Sequence, residues 1–292
     1  MDLGALAAGF VTGLREGFEA ALIIAILMAY LVRTGHRDQM PKIWAGAGLA
    51  GLLSLAIGTV VFQIAGELPS PYEQYFEATA MVVAAAVVTL MLFWMRRASM
   101  AMRGELQAAL DRTIAAGGAL GLAVLAFTAV IREGIETSIF LVGQATSATT
   151  SASSLVVGAL IGLATAIVIG WLFYTGARRI DLRVFFRWTG IALIFIAAGL
   201  LSAAMHELIE VSVITFGTAP VFNISGLLPA EAGIGQFLRA ILGYSDAPEL
   251  TTLVVYLAYL ATVLTLYLRP IARPVPPPAR VEPPSSTETA RS

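Results

Sequence analysis

The chain has 292 residues, 58% of them hydrophobic and 13% charged, with 18 Lys and Arg against 19 Asp and Glu. Mean hydropathy is +0.83, and the apolar residues fall in long blocks instead of the stripes of a soluble helix or strand, which excludes an ordinary soluble fold. The near-neutral balance gives no reason to expect nucleic acid as a partner, and the absence of cysteine removes disulfides, thiolate metal sites and cysteine nucleophiles.

A bilayer core of roughly 30 Å needs about 20 apolar residues in a helix. Seven blocks reach that length: Ala7 to Val32, Ile43 to Ala65, Tyr75 to Met95, Gly118 to Ala145, Leu155 to Ala177, Trp188 to Leu208 and Leu250 to Leu268. The first and fourth exceed what a span requires, which allows tilt or an interrupted helix. The chain opens on Met1-Asp2-Leu3-Gly4, without the basic flank of a secretory signal. Arg15, Glu16 and Glu19 then interrupt the apolar run, so the first block reads as a retained helix.

Basic residues set the orientation, because cytoplasmic loops retain them. Alternate connections carry Arg33, Arg37 and Lys42, then Arg96, Arg97, Arg103 and Arg112, then Arg178, Arg179, Arg183 and Arg187, and the C-terminal segment adds Arg269, Arg273, Arg280 and Arg291. Together these are 15 of the 18 basic residues. The expected topology has the N-terminus outside and the C-terminus in the cytoplasm of an inner (plasma) membrane protein. The outer connections carry Glu67, Glu73, Glu231, Asp246 and Glu249, a surface that concentrates cations at low ionic strength. Residues 269–292, rich in proline and ending in Ser, Thr and Glu, read as a disordered cytoplasmic tail. The long outer connection from Ser212 to Glu249 contains one amphipathic stretch around Ala230 to Leu242.

Leu14-Arg15-Glu16-Gly17-Phe18-Glu19 in the first block returns 117 positions later as Ile131-Arg132-Glu133-Gly134-Ile135-Glu136 in the fourth. Three helices separate equivalent points, so the second copy crosses in the opposite sense. The fold class expected is an all-α integral membrane protein of seven transmembrane helices: repeat one 7–95, an inverted repeat two 118–208, and a seventh helix 250–268 outside the repeat, within one permease domain 1–268.

A charged residue at a span centre costs roughly 2.5–3.5 kcal/mol on insertion scales, so these triads face protein, water or a ligand. Within each motif the glutamates are i and i+3, while Arg15 to Glu19 and Arg132 to Glu136 are i and i+4 and can pair. One arginine does not neutralise two carboxylates. Each triad is left with one negative charge, which a bound hard cation or protons would offset. The competing reading is a set of buried ion pairs that lock helices together, and Gly17 and Gly134 are equally well explained as packing positions. A second layer lies nearer the outside, where Glu77 enters the third block and His206, Glu207 and Glu210 close the sixth. It reads as an outer vestibule, or as span ends that reach water without a partner. The nine methionines are dispersed and offer no thioether path.

Two Arg-Glu-Gly-x-Glu motifs in the first and fourth of seven spans resemble the oxidase-dependent iron transporter family, the fungal high-affinity iron permease and the bacterial EfeU-type permeases. The likeness extends to Phe76-Glu77, Phe93-Trp94-Met95-Arg96, Phe185-Phe186-Arg187-Trp188-Thr189, His206-Glu207, Gly243-Tyr244 and Ala247-Pro248. The resemblance implies that Glu16, Glu19, Glu133 and Glu136 bind and translocate iron, with Arg15 and Arg132 as partners. It also implies iron as transported substrate without a resident cofactor, and an extracytoplasmic ferroxidase or peroxidase and iron-binding partner proteins. Carboxylates also suit Mg, Ca and Mn, so iron rests on the resemblance. Two rivals follow from the residues: a transporter of another divalent metal or a basic solute, and an intramembrane di-iron enzyme. Di-iron bundles add Glu-x-x-His motifs, whereas the histidines here are His36 and His206.

Overall fold

The computed structural model describes residues 2–65, 69–98, 112, 119–146, 151–175 and 182–269. Among them, eight α-helices follow in chain order: α1 (Leu3–Arg33), α2 (Met40–Ala65), α3 (Tyr72–Ala98), α4 (Ala119–Ala145), α5 (Ala152–Tyr174), α6 (Leu182–Glu210), α7 (Gly233–Leu242) and α8 (Leu250–Leu268). Within the described residues, a helix covers most of each of the seven apolar blocks. Among the described residues, five stretches, 37–60, 72–95, 152–172, 184–210 and 250–268, are long and apolar enough to cross a membrane. The protein is an all-α, multi-span integral membrane protein. Helices α1 and α4 are also long, at 31 and 27 residues, but carry the charged triads in their middles. Glu67, most of the expected basic connections and the tail from Pro270 lie outside the described residues.

Local chemistry fixes several helix ends. Asp2 caps α1, its Oδ1 accepting the Ala5 amide at 2.9 Å. At the far end Gly35 takes φ +82°, and the His36 amide reaches back to the Leu31 carbonyl at 2.9 Å, a left-handed glycine stop. Pro41 sits in the first turn of α2, where its missing amide proton costs no helical bond. The stretch around Ala230 to Leu242 does contain a helix, α7, from Gly233. The surrounding connection folds back on itself, Val221 donating to the Pro248 carbonyl and Ile224 to that of Asp246, each at 2.9 Å.

Helix α1 packs chiefly on α5, α2 on α4, and α3 on α6, which in turn supports α8. The α1–α5 contact is backbone on backbone. A methyl group at Gly9 would stand 2.1 Å from the Leu155 carbonyl oxygen, one at Gly13 2.1 Å from that of Ala159, and one at Gly158 2.0 Å from that of Leu6. Both helices thus use glycines four apart, which lets them approach where side chains would hold them off. The α2–α4 contact is similar, since a methyl at Gly46 would meet the Ala123 carbonyl oxygen at 2.1 Å. Two apolar clusters flank the middle of the bundle. One joins Ala5, Ala8, Met81, Phe140 and Leu193; the other joins Ile23, Leu27, Ile43 and Leu122. The charged triads of α1 and α4 lie between them along the chain.

Candidate metal centre

Because α1 and α4 pack against each other, the two motifs meet. Glu16, Glu19 and Glu133 are buried, and each offers a carboxylate oxygen such that the three lie within 4.8 Å of one another. Hard cations hold oxygen ligands at about 2.0–2.6 Å, so oxygens sharing one ion stand at most about 5 Å apart. The spacing is therefore compatible with a single shared ion. Glu136 stands outside this close group. Its Oε1 accepts a hydrogen bond from Arg132 Nε at 2.9 Å.

Arg15 is 1% exposed and lies between its two glutamates, with Nη2 3.3 Å from Glu19 Oε1 and Nη1 3.7 Å from Glu16 Oε1. Neither approach has hydrogen-bond geometry. Arg15 Nη1, Glu16 Oε2, Glu19 Oε1 and Glu133 Oε2 are buried without a hydrogen-bond partner among the described residues. Locked ion pairs would saturate these atoms, because an unpaired buried polar atom costs about 1–3 kcal/mol, and more when charged. Three carboxylates around one arginine leave an excess of negative charge with acceptor capacity unspent. The second arginine is placed differently. Arg132 is 41% exposed at its side chain and covers the ring of Trp94 at 4.0 Å from its centroid. Gly134 brings α4 against α2, for a methyl there would lie 1.9 Å from Ser54 Oγ. Gly17 faces Leu163 and Ala166 of α5. Both glycines are packing positions.

The second layer is a cavity of about 570 Å³ at the end of the bundle where α1 begins and α6 ends. His206, Glu207 and Glu210 line it. Glu77 is not among the lining residues, but the charges of Glu207, Glu73 and Glu210 act on it. Four further acids line the cavity: Asp2, Glu231, Asp246 and Glu249. Glu249 receives His206 Nδ1 at 2.8 Å, and His206 Nε2 lies 3.5 Å from Glu210. Burial pulls the Arg239 guanidinium down from its ordinary value, while Glu231 and Asp246 act to hold it up. The pairing of His206 with Glu249 spans 43 residues, and no local spacing announces it. Gln144, also on the cavity wall, had a legible signal: it is an amide inside an apolar block.

A family model described as the iron permease FTR1 family matches residues 6–271. A protein of Yersinia pestis named ferrous iron permease EfeU is 35% identical over 263 residues, covering 89% of this chain and 93% of the relative. Proteins of the same name from an Escherichia coli O6:H1 strain and from Shigella sonnei are each 34% identical over 89% of this chain and 95% of the relative. No solved structure matches.

Proposed function

Because this chain belongs to the iron permease FTR1 family, we propose that it carries iron across the inner membrane through the carboxylate group of Glu16, Glu19 and Glu133, with Glu136 as the fourth member of the paired motif. Members of this family are permeases, which disfavours the di-iron enzyme. The observation that carries the reading is the cluster itself: three buried carboxylates within 4.8 Å, on two helices that each hold one Arg-Glu-Gly-x-Glu copy, with acceptor atoms left unpaired. A cation supplies the missing partner. Carboxylate oxygens accept either valence of iron; the relatives' names print ferrous iron.

The scaffold we propose is seven spans in one domain, 1–268, with repeats 7–95 and 118–208 inverted about an axis in the membrane plane, the helix 250–268 outside them, and the tail 269–292 in the cytoplasm. The packing supports it. Exchanging α1 with α4 and α2 with α5 converts the α1–α5 contact into the α4–α2 contact. It also carries Gly158, against Leu6, onto Gly46, against Ala123, 117 residues further on from Leu6. Gly17 against Ala166 and Gly134 against Ser54 obey the same exchange. Sites in such folds lie at the interface between repeats, and alternating access follows from rocking one against the other. With the N-terminus outside, the acidic cavity is the entrance. An extracytoplasmic ferroxidase or peroxidase and an iron-binding protein deliver iron to it. Glu77, His206, Glu207 and Glu210 collect the ion, and the carboxylate group holds it between openings. Arg15 and Arg132 offset the carboxylates when the ion has left.

The test is uptake of Fe(II) and of Fe(III) into proteoliposomes by Glu19→Gln and Glu133→Gln proteins of normal assembly. Both are expected to lose uptake by two orders of magnitude or more. Wild-type uptake by either rules out this site.

A further inference from the structure

Between the acidic cavity and the carboxylate group stands a polar pair that no motif contains. Gln144 of α4 is 4% exposed and lines the cavity. Its Nε2 lies 3.1 Å from Thr12 Oγ1 of α1, and its Oε1 is buried with no hydrogen-bond partner among the described residues. Thr12 is fully buried, and its hydroxyl donates to the Ala8 carbonyl at 3.0 Å. A hydroxyl has one proton, so Thr12 acts only as acceptor toward Gln144. That fixes the amide: its NH2 is tied to Thr12 and its carbonyl oxygen is the free end. A buried carbonyl oxygen without a donor carries an uncompensated desolvation cost, and a passing cation is a partner that removes it.

The position fits the same role. Thr12, Glu16 and Glu19 are i, i+4 and i+7, one face of α1, and four residues of helix rise about 6 Å. Gln144 lies eleven residues beyond Glu133, about three turns along α4. The pair thus sits one to three turns from the carboxylates on both motif helices, on the cavity side. A methyl at Gly143 would press on Ala84 Cβ at 2.6 Å, so the α4 backbone beside Gln144 is held close against α3. The amide therefore cannot easily be displaced by moving its helix.

We propose that the Gln144 side-chain carbonyl, oriented by Thr12, is a binding station for the transported cation, a neutral oxygen that replaces part of its hydration shell before it reaches Glu16, Glu19 and Glu133. Neutral carbonyl oxygens strip water from cations in this way without holding them as tightly as a carboxylate would. With one amide proton spent on Thr12, the buried oxygen is the end left to meet a cation. This inference rests on the carboxylate reading above.

The experiment is the concentration dependence of Fe(II) uptake, kept ferrous with ascorbate, into proteoliposomes containing the full chain. Gln144→Leu, which keeps the bulk and removes the oxygen, should raise KM about ten-fold or more. Thr12→Val, which frees the amide to turn, should shift KM in the same direction by a smaller factor. Gln144→Glu should lower KM and slow turnover, because the ion leaves a carboxylate more slowly. A KM within two-fold of wild type for Gln144→Leu overturns the inference. Should that variant fail to assemble, wild-type behaviour of both Thr12→Val and Gln144→Glu overturns it equally. Glu19→Gln run in parallel separates the two claims: if it abolishes uptake while Gln144→Leu is unchanged, the station alone is wrong, and if it transports normally, the carboxylate site is wrong.

Discussion

Replacing Gly13 by alanine tests whether the site is held by backbone contact between α1 and α5. The added methyl would stand 2.1 Å from the Ala159 carbonyl oxygen, more than 1 Å inside the distance of about 3.5 Å at which such atoms attract. Neither partner is a flexible side-chain end, so the helices must part. Overpacking of this kind costs about 1–3 kcal/mol, and for a chain of this size each kcal/mol lowers Tm by roughly 2–4 °C. The expected loss is therefore about 2–12 °C. Gly48 is the control, with nothing within 4 Å of an added methyl; there alanine should be neutral or stabilising by about 0.5–1 kcal/mol through helix propensity. Gly17 lies between them, since its closest neighbour is the movable Leu163 Cδ1 at 2.7 Å. Thermal unfolding of the purified proteins in one detergent, followed by light scattering or intrinsic fluorescence, gives the order. A Gly13→Ala protein as stable as Gly48→Ala would refute the close α1–α5 contact. Because Glu16 and Glu19 ride on the same helix, Gly13→Ala should also reduce iron uptake where Gly48→Ala leaves it intact.

Arg15→Met removes the cation from among three buried carboxylates and should destabilise the protein by about 3–5 kcal/mol, seen as loss of the monodisperse species in size-exclusion chromatography. Adding Glu19→Gln to it should restore assembly without restoring uptake. His206→Ala breaks an exposed contact to Glu249 and should cost less than about 1 kcal/mol, with Tm as the readout. Raising ionic strength from about 0.05 to 0.5 M shortens the screening length from about 14 to 4 Å and should raise the KM for iron. Neutralising Glu210, Asp246 and Glu249 together should remove most of that salt dependence.

The helices were legible because lipid demands a single pattern, about 20 apolar residues, and Leu250–Leu268 matches its block at both ends. The motif repeat was legible because identical charged residues in two apolar blocks have no bland explanation that leaves them unpaired. Which carboxylates converge was not. Spacing treats Glu136 and Glu133 alike, and only the direction of Arg132 toward Glu136 and Trp94 separates them. The match between α2 and α5 is visible in sequence only as order and approximate spacing, because it consists of glycines and small residues such as Gly46 and Gly158, common in any membrane helix. It acquires meaning only when each is found against the equivalent carbonyl. The rest of the cavity wall was illegible for a related reason: Asp2, Gln144 and Glu249 come from three distant parts of the chain, and no local period links them.

The most direct test of the central claim is an anomalous-difference map, collected at the iron absorption edge, from crystals of the full chain equilibrated with Fe(II) under ascorbate. The account predicts a peak bounded by Glu16, Glu19 and Glu133, lost in crystals of Glu19→Gln. Iron bound only in the acidic cavity, with the three glutamates turned apart and saturated by Arg15, would contradict it.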